Sequence, residues 1–106
     1  YDVLLTNNLV PEILYGYGDP AVLNVEDSES GEPWYYLLST SNDAPDAFPI
    51  LKSKDLTNWI FTGFVFPREN KPEWALNAVN AADYWAPELH KVGDAFRLYF
   101  VARHKE

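Results

Sequence analysis

An all-β fold of repeated antiparallel sheets is what this sequence predicts. Short apolar runs rich in aromatic residues alternate with polar, turn-forming segments along most of the chain. The start of one run recurs: Asp19-Pro20-Ala21-Val22-Leu23 can be laid over Ala86-Pro87-Glu88-Leu89-His90. In that alignment Pro20 falls on Pro87, Val22 on Leu89 and Val25 on Val92, and Tyr35 to Leu38 fall on Phe96 to Tyr99. Self-similarity at a long spacing is the mark of a repeat architecture. With 106 residues there is material for one small domain, spanning 1–106, and not for two.

Taken in order, residues 1–16 are mixed. Val3-Leu4-Leu5 predicts a short strand, and Pro11 stops any helix. Tyr15-Gly16-Tyr17-Gly18 reads as a loop whose glycines permit close backbone approach. Ala21 to Val25 reads as a buried strand, and the polar stretch Glu26 to Pro33 as a solvent-facing hairpin tip. Trp34-Tyr35-Tyr36-Leu37-Leu38-Ser39-Thr40 is the strongest strand signal. After a loop from Ser41 to Pro45, Phe48 to Ser53 predicts a third strand. Lys54 to Asn58 predicts a turn, and Trp59 to Phe66 a fourth strand. These four make one blade-like sheet. The long connection Pro67 to Asp83 contains a candidate helical turn at Glu73 to Asn80, with Pro72 at its first position. Pro87 to Val92 and Ala95 to Arg103 then open a second sheet. An edge at 95–103 without a partner strand invites pairing with another copy.

Composition removes several functional classes. Hydrophobic residues make up 47% of the chain and aromatics 16%, too apolar a mix for intrinsic disorder. Eight basic against sixteen acidic residues give a net charge of −8, which repels phosphate backbones and argues against nucleic acid as a partner. No run approaches the roughly 18 apolar residues of a membrane helix, and no signal peptide is visible. Without cysteine there is neither a disulfide framework nor a thiolate metal site, and the two histidines stand far apart. The chain also lacks methionine, which predicts a processed chain or a part of something longer.

Asp19 stands out because its aligned counterpart is Ala86. The repeat does not require an acid at this position, so Asp19 needs a reason beyond capping a turn before Pro20.

Three further stretches are specific enough to carry a family resemblance. They are Asp19-Pro20-Ala21-Val22 followed by Trp34 to Thr40, then Pro49-Ile50 followed by Ser53-Lys54-Asp55-Leu56-Thr57-Asn58-Trp59, then Trp85-Ala86-Pro87-Glu88-Leu89-His90-Lys91-Val92. Each is weak alone. In this order and spacing, from Gly16 to Ala102, they resemble glycoside hydrolase family 43, the five-bladed β-propeller arabinanases, arabinofuranosidases and xylosidases. The resemblance implies that the chain holds the N-terminal part of a propeller, its first blade and part of the second.

It also implies an inverting glycosidase acting on arabinose- or xylose-containing plant-wall polysaccharides. In such an enzyme two carboxyl groups roughly 6.5–9.5 Å apart leave room for an attacking water. The family's general base matches Asp19. Its pKa-tuning aspartate and its acid belong to the third and fourth blades, and this sequence ends before either. The resemblance places Trp85 and Phe48 as subsite walls, since sugar C–H faces stack on aromatic rings. It requires no redox cofactor. Some relatives hold calcium on the propeller axis, but no ligands for it can be located here.

The other residues invite plainer readings. Glu88 lies two positions beyond Ala86 and reads as a structural carboxylate rather than the acid. His90 reads as a satisfied buried polar group, and Trp59 as packing between blades. Asp55 and Asn58 belong to a tight turn, while Trp74 and Asn77 are candidates for the rim of a cleft. The expected partners are an arabinan- or xylan-type oligosaccharide, and the rest of the propeller or a second copy that completes the sheet. Polymeric substrates imply a secreted or periplasmic location. The competing readings are a non-catalytic carbohydrate-binding β-domain and an inactive truncated fragment.

Overall fold

A computed structural model describes residues 18–26, 29–42, 44–76 and 82–106. The expected strand at Val3 to Leu5, the loop Tyr15 to Tyr17 and the rim residue Asn77 lie outside the described residues. Six strands are described: β1 Ala21–Glu26, β2 Pro33–Leu38, β3 Ala47–Ser53, β4 Ile60–Phe66, β5 Trp85–Val92 and β6 Ala95–Val101. The first four form an antiparallel meander in the order β1-β2-β3-β4, and β5 and β6 form a separate hairpin. Among the described residues no helix is long and apolar enough to cross a membrane.

Local chemistry sets the turns and irregularities. Between β5 and β6 the link is Gly93-Asp94, with Gly93 at φ 61°. A two-residue hairpin with glycine at its first central position has a backbone twist that matches the strands it joins. In the β3–β4 pair, Ile50 faces Gly63 but Leu51 faces Phe61, which leaves Thr62 as an extra residue. Gly63 sits at φ 146°, a conformation that side chains rarely adopt, so the bulge is written into the sequence by this glycine. The extra residue is also anchored, since the Thr62 hydroxyl donates to the Ile50 carbonyl at 3.0 Å. The turn before β4 is built on Asp55. Its carboxylate accepts the backbone N–H groups of Asn58 (2.8 Å) and Thr57 (2.9 Å), the Asn58 amide and the Ser53 hydroxyl. The Asn58 donors above all, then Thr57 and Ser53, hold this carboxyl far below the usual carboxylate range.

The main core joins the two sheets. Leu38, Ala47, Phe48, Ala75, Ala82 and Tyr84 are its buried centre, and Ile50, Val65, Phe66, Leu89, Leu98, Phe100 and Ala102 pack around them. Leu98, Phe100 and Ala102 share one side of the second sheet, while Tyr99 and Val101 on the other side are more than half exposed. That is the period-2 alternation of a strand. Leu37, Leu51, Trp59 and Tyr35 form a smaller cluster on the opposite face of the first sheet. Trp59 therefore packs on its own sheet, and not between two sheets, among the described residues. Its indole N–H donates to the Leu56 carbonyl at 3.1 Å.

The internal repeat is a structural repeat with the same register. Val22 faces Leu37 and Leu89 faces Leu98; Ala21 faces Leu38 and Glu88 faces Tyr99. Asn24–Tyr35 and Val25–Trp34 are matched in the same way by Lys91–Phe96 and Val92–Ala95. Even the backbone ahead of each proline agrees. Asp19 has φ 48° and Ala86 has φ 45°, both in the left-handed region.

Some expectations need correction. β1 is not buried; its side chains alternate between half-buried and exposed, because it is the edge of its sheet and Val22, Asn24 and Glu26 face out. The described part of the helical-turn candidate makes one hydrogen-bonded turn, with Ala75 N–H donating to the Pro72 carbonyl at 3.0 Å, and does not continue as helix to Leu76. From that turn Ala75 makes a β-bridge with His104, and Leu76 N–H and Lys105 N–H donate to the carbonyls of Arg103 and Trp74. The end of the 95–103 edge is thus paired by the long connection itself, which satisfies backbone groups on both segments. His90 is exposed rather than buried, with its imidazole 3.4 Å from the still more exposed Glu88 carboxylate.

Candidate functional site

The two repeat-equivalent strand starts meet in space. β1 lies beside β5, and both begin at one groove of about 410 Å³. Asp19, Pro20 and Val22 line one side of the groove, and Ala86, Glu88 and His90 the other. A larger hollow of about 680 Å³ lies between the sheets, lined by Val25, Tyr36, Leu38, Ile50, Leu89 and Phe96 among others, and does not include Asp19.

Asp19 is placed by its neighbours on both sides. The left-handed backbone at this position costs an aspartate less than most residues, because a short polar side chain tolerates it. The Gly18 carbonyl just before it accepts the Thr40 N–H at 2.9 Å, which pins the strand entry to the end of β2. The Thr40 hydroxyl donates to Asp19 Oδ2 at 2.7 Å and accepts the Ala86 N–H at 2.9 Å. Thr40 is itself buried, while Asp19 is exposed to the groove.

A second set of bonds stitches the sheets together just below. Ser41 N–H (3.0 Å) and Asn42 N–H (3.2 Å) both donate to the Tyr84 carbonyl, and Tyr84 N–H donates to the Asn42 carbonyl at 3.1 Å. The Asn42 side-chain carbonyl accepts the Trp85 indole N–H at 2.6 Å. Trp85 thus stays 43% exposed with its orientation fixed by one strong hydrogen bond. An exposed, tethered indole presents a flat apolar face to solvent, as sugar stacking needs.

Phe48 lies elsewhere. Expected as a subsite wall, it is 0% exposed and enclosed by Phe66, Tyr84 and Phe100, with ring centroids at 6.2, 5.7 and 5.3 Å. Its place is the core, because its β3 position faces the second sheet. Trp74 is 42% exposed and stacks on Phe100 and His104. Tyr84 has no hydrogen-bond partner for its hydroxyl among the described residues, and burial pushes its phenol pKa up. Among the described residues no three His, Asp or Glu side chains cluster closely enough to hold a metal ion.

A groove at the starts of two repeat-related sheets, lined by the Asp19 and Glu88 carboxylates with Asp19 held by Thr40, is the arrangement to set beside known families. The model for glycosyl hydrolases family 43 matches residues 11–106. The chain belongs to that family. It is an all-β member with antiparallel, blade-like sheets, as a β-propeller family requires. Family membership makes it a glycosidase at the level of its class. No curated protein and no solved structure matches the chain.

Thr40 and Asn42 are the site residues that sequence reading missed. The signal was the polar run Ser39-Thr40-Ser41-Asn42 placed directly after a buried apolar strand. Ser39, Thr40 and Ser41 are all buried, and buried hydroxyls need partners.

Proposed function

We propose that this family 43 chain takes part in inverting hydrolysis of arabinose- or xylose-containing plant-wall polysaccharides, with Asp19 as general base. The observation that carries the reading is the asymmetry of the repeat. Two equivalent strand starts share one groove and one unusual backbone conformation, and at that left-handed position only one of them bears a carboxylate, Asp19 against Ala86.

In this reading a water molecule sits between Asp19 and the anomeric carbon. As the water oxygen forms its bond to that carbon, a carboxylate oxygen of Asp19 takes the water's proton. The bond to the leaving sugar oxygen breaks, and a separate acid protonates that oxygen. General-base assistance of this kind contributes roughly 10²–10⁴-fold. Trp85 supplies a stacking wall, and polymeric substrates of this sort place the activity outside the cell.

The test uses arabinan and xylan oligosaccharides with NMR detection of the first sugar released. Release in the inverted anomeric configuration supports the reading; release with retention sinks it. Asp19→Asn separates this reading from a non-catalytic sugar-binding domain. Hydrolysis collapses in that variant while oligosaccharide binding persists, whereas a binding domain shows no hydrolysis to lose.

A further inference from the structure

We propose that Thr40 is the positioning residue for the Asp19 carboxylate, choosing which of its two oxygens meets the water. The inference rests on Asp19 acting as base. A hydroxyl has one proton and two lone pairs. The Ala86 N–H occupies a lone pair of Thr40 Oγ1 at 2.9 Å, and the hydroxyl proton goes to Asp19 Oδ2 at 2.7 Å, since a carboxylate oxygen can only accept. Thr40 is 8% exposed, so water does not compete freely for that proton. Its backbone is fixed as well, by the bond from its N–H to the Gly18 carbonyl. Oδ2 is thereby engaged by Thr40, and Oδ1 is the oxygen presented to the groove for the water's proton.

The repeat supplies an independent argument. Leu37 corresponds to Leu98, and three residues further on Thr40 corresponds to Val101. Asp19 and Thr40 in the first copy are thus Ala86 and Val101 in the second. The acid and its hydroxyl partner occur together and are absent together, inside one chain and on one scaffold. A threonine needed only for strand packing has no reason to track the acid, because valine has nearly the same shape.

The experiment compares Thr40→Val, Thr40→Ser and Asp19→Asn in the active enzyme. The probes are 4-nitrophenyl α-L-arabinofuranoside and 4-nitrophenyl β-D-xylopyranoside. Thr40→Val removes the hydroxyl at constant shape, and kcat is expected to fall about 10- to 100-fold, the cost of a misplaced catalytic group. KM changes less than about twofold, and Thr40→Ser restores kcat to within about threefold of wild type. Unchanged kcat in a folded Thr40→Val overturns the proposal, and so does failure of the serine variant to rescue. If Thr40→Val keeps its activity while Asp19→Asn loses it, only the positioning role fails. If Asp19→Asn keeps its activity, the base assignment fails first.

Amide hydrogen exchange at Ala86 in the wild-type protein gives a reading that needs neither activity nor a folded valine variant. Protection of at least about tenfold over a free amide supports the locked hydroxyl, and exchange at the free rate overturns it.

Discussion

The β1 and β5 strand starts are two solutions to one structural problem. Each places a non-glycine residue in the left-handed region directly before a proline, and each feeds a hairpin of identical register. They differ in chemistry. The first has Asp19 with Thr40 opposite, the second Ala86 with Val101. The scaffold is therefore independent of the carboxylate, and the carboxylate is an addition to it. A residue that a repeat can do without structurally is a strong candidate for function.

The largest effect expected from breaking this comparison is on turnover. Asp19→Asn lowers kcat by about 10²–10⁴-fold. Adding Ala86→Asp does not restore it, because Val101 offers no hydroxyl to orient the new acid. Steady-state rates of the single and double variants check this, and recovery in the double variant would show the two positions to be interchangeable.

Phe48→Ala attacks what the two sheets share. A ring enclosed by aromatics from both sheets leaves a cavity, at a cost of about 3–5 kcal/mol in denaturant unfolding. Ala86→Gly acts on the strained backbone of the second copy alone. Relief of the positive φ outweighs glycine's extra unfolded-state entropy, for a gain of about 0.5 kcal/mol.

A pH effect belongs to the first sheet's border. The side-chain hydrogen bond from Arg68, helped by its N–H and its charge, holds the Asp46 carboxyl below its ordinary value. A lowered folded pKa stabilises the fold above the unfolded carboxylate range of about 3.9, and that stability is lost as pH falls through the lower folded value. The Arg68 side chain is 64% exposed, so the effect is small. Asp46→Asn flattens the acid side of a melting-temperature profile measured between pH 5 and 2, and an unchanged profile contradicts the assignment. Tyr84→Phe is the smallest change. It removes a buried hydroxyl that has no partner among the described residues, and stability stays level or rises by up to about 1 kcal/mol by thermal unfolding.

Much of this fold was legible in the chain. Aromatic runs such as Trp34 to Leu38 can bury their area only as strands, and the Gly93-Asp94 turn is set by local chemistry alone. Asp19 stood out because the repeat offered its own control, Ala86. What stayed hidden was non-local. Thr40 meets Asp19 across 21 residues and Ala86 across 46, and no local pattern records such a contact. Burial was misjudged for the same reason. Among the described residues β1 and His90 are exposed because no element packs over their outer faces, and Phe48 is buried because the second sheet covers it. The 73–76 stretch makes its one turn onto Pro72 and then pairs with 103–105 rather than continuing as helix, the usual outcome when tertiary hydrogen bonds outweigh a weak local preference.

The most direct measurement is chemical rescue of Asp19→Ala. With the base removed, hydrolysis of 4-nitrophenyl α-L-arabinofuranoside or β-D-xylopyranoside should be slow. Added azide, an anion that needs no deprotonation, should enter the vacated space and attack the anomeric carbon. The expected result is a restored release of 4-nitrophenol, with a glycosyl azide of inverted configuration as product. Wild-type turnover by Asp19→Ala without azide would contradict the assignment of Asp19 as the base.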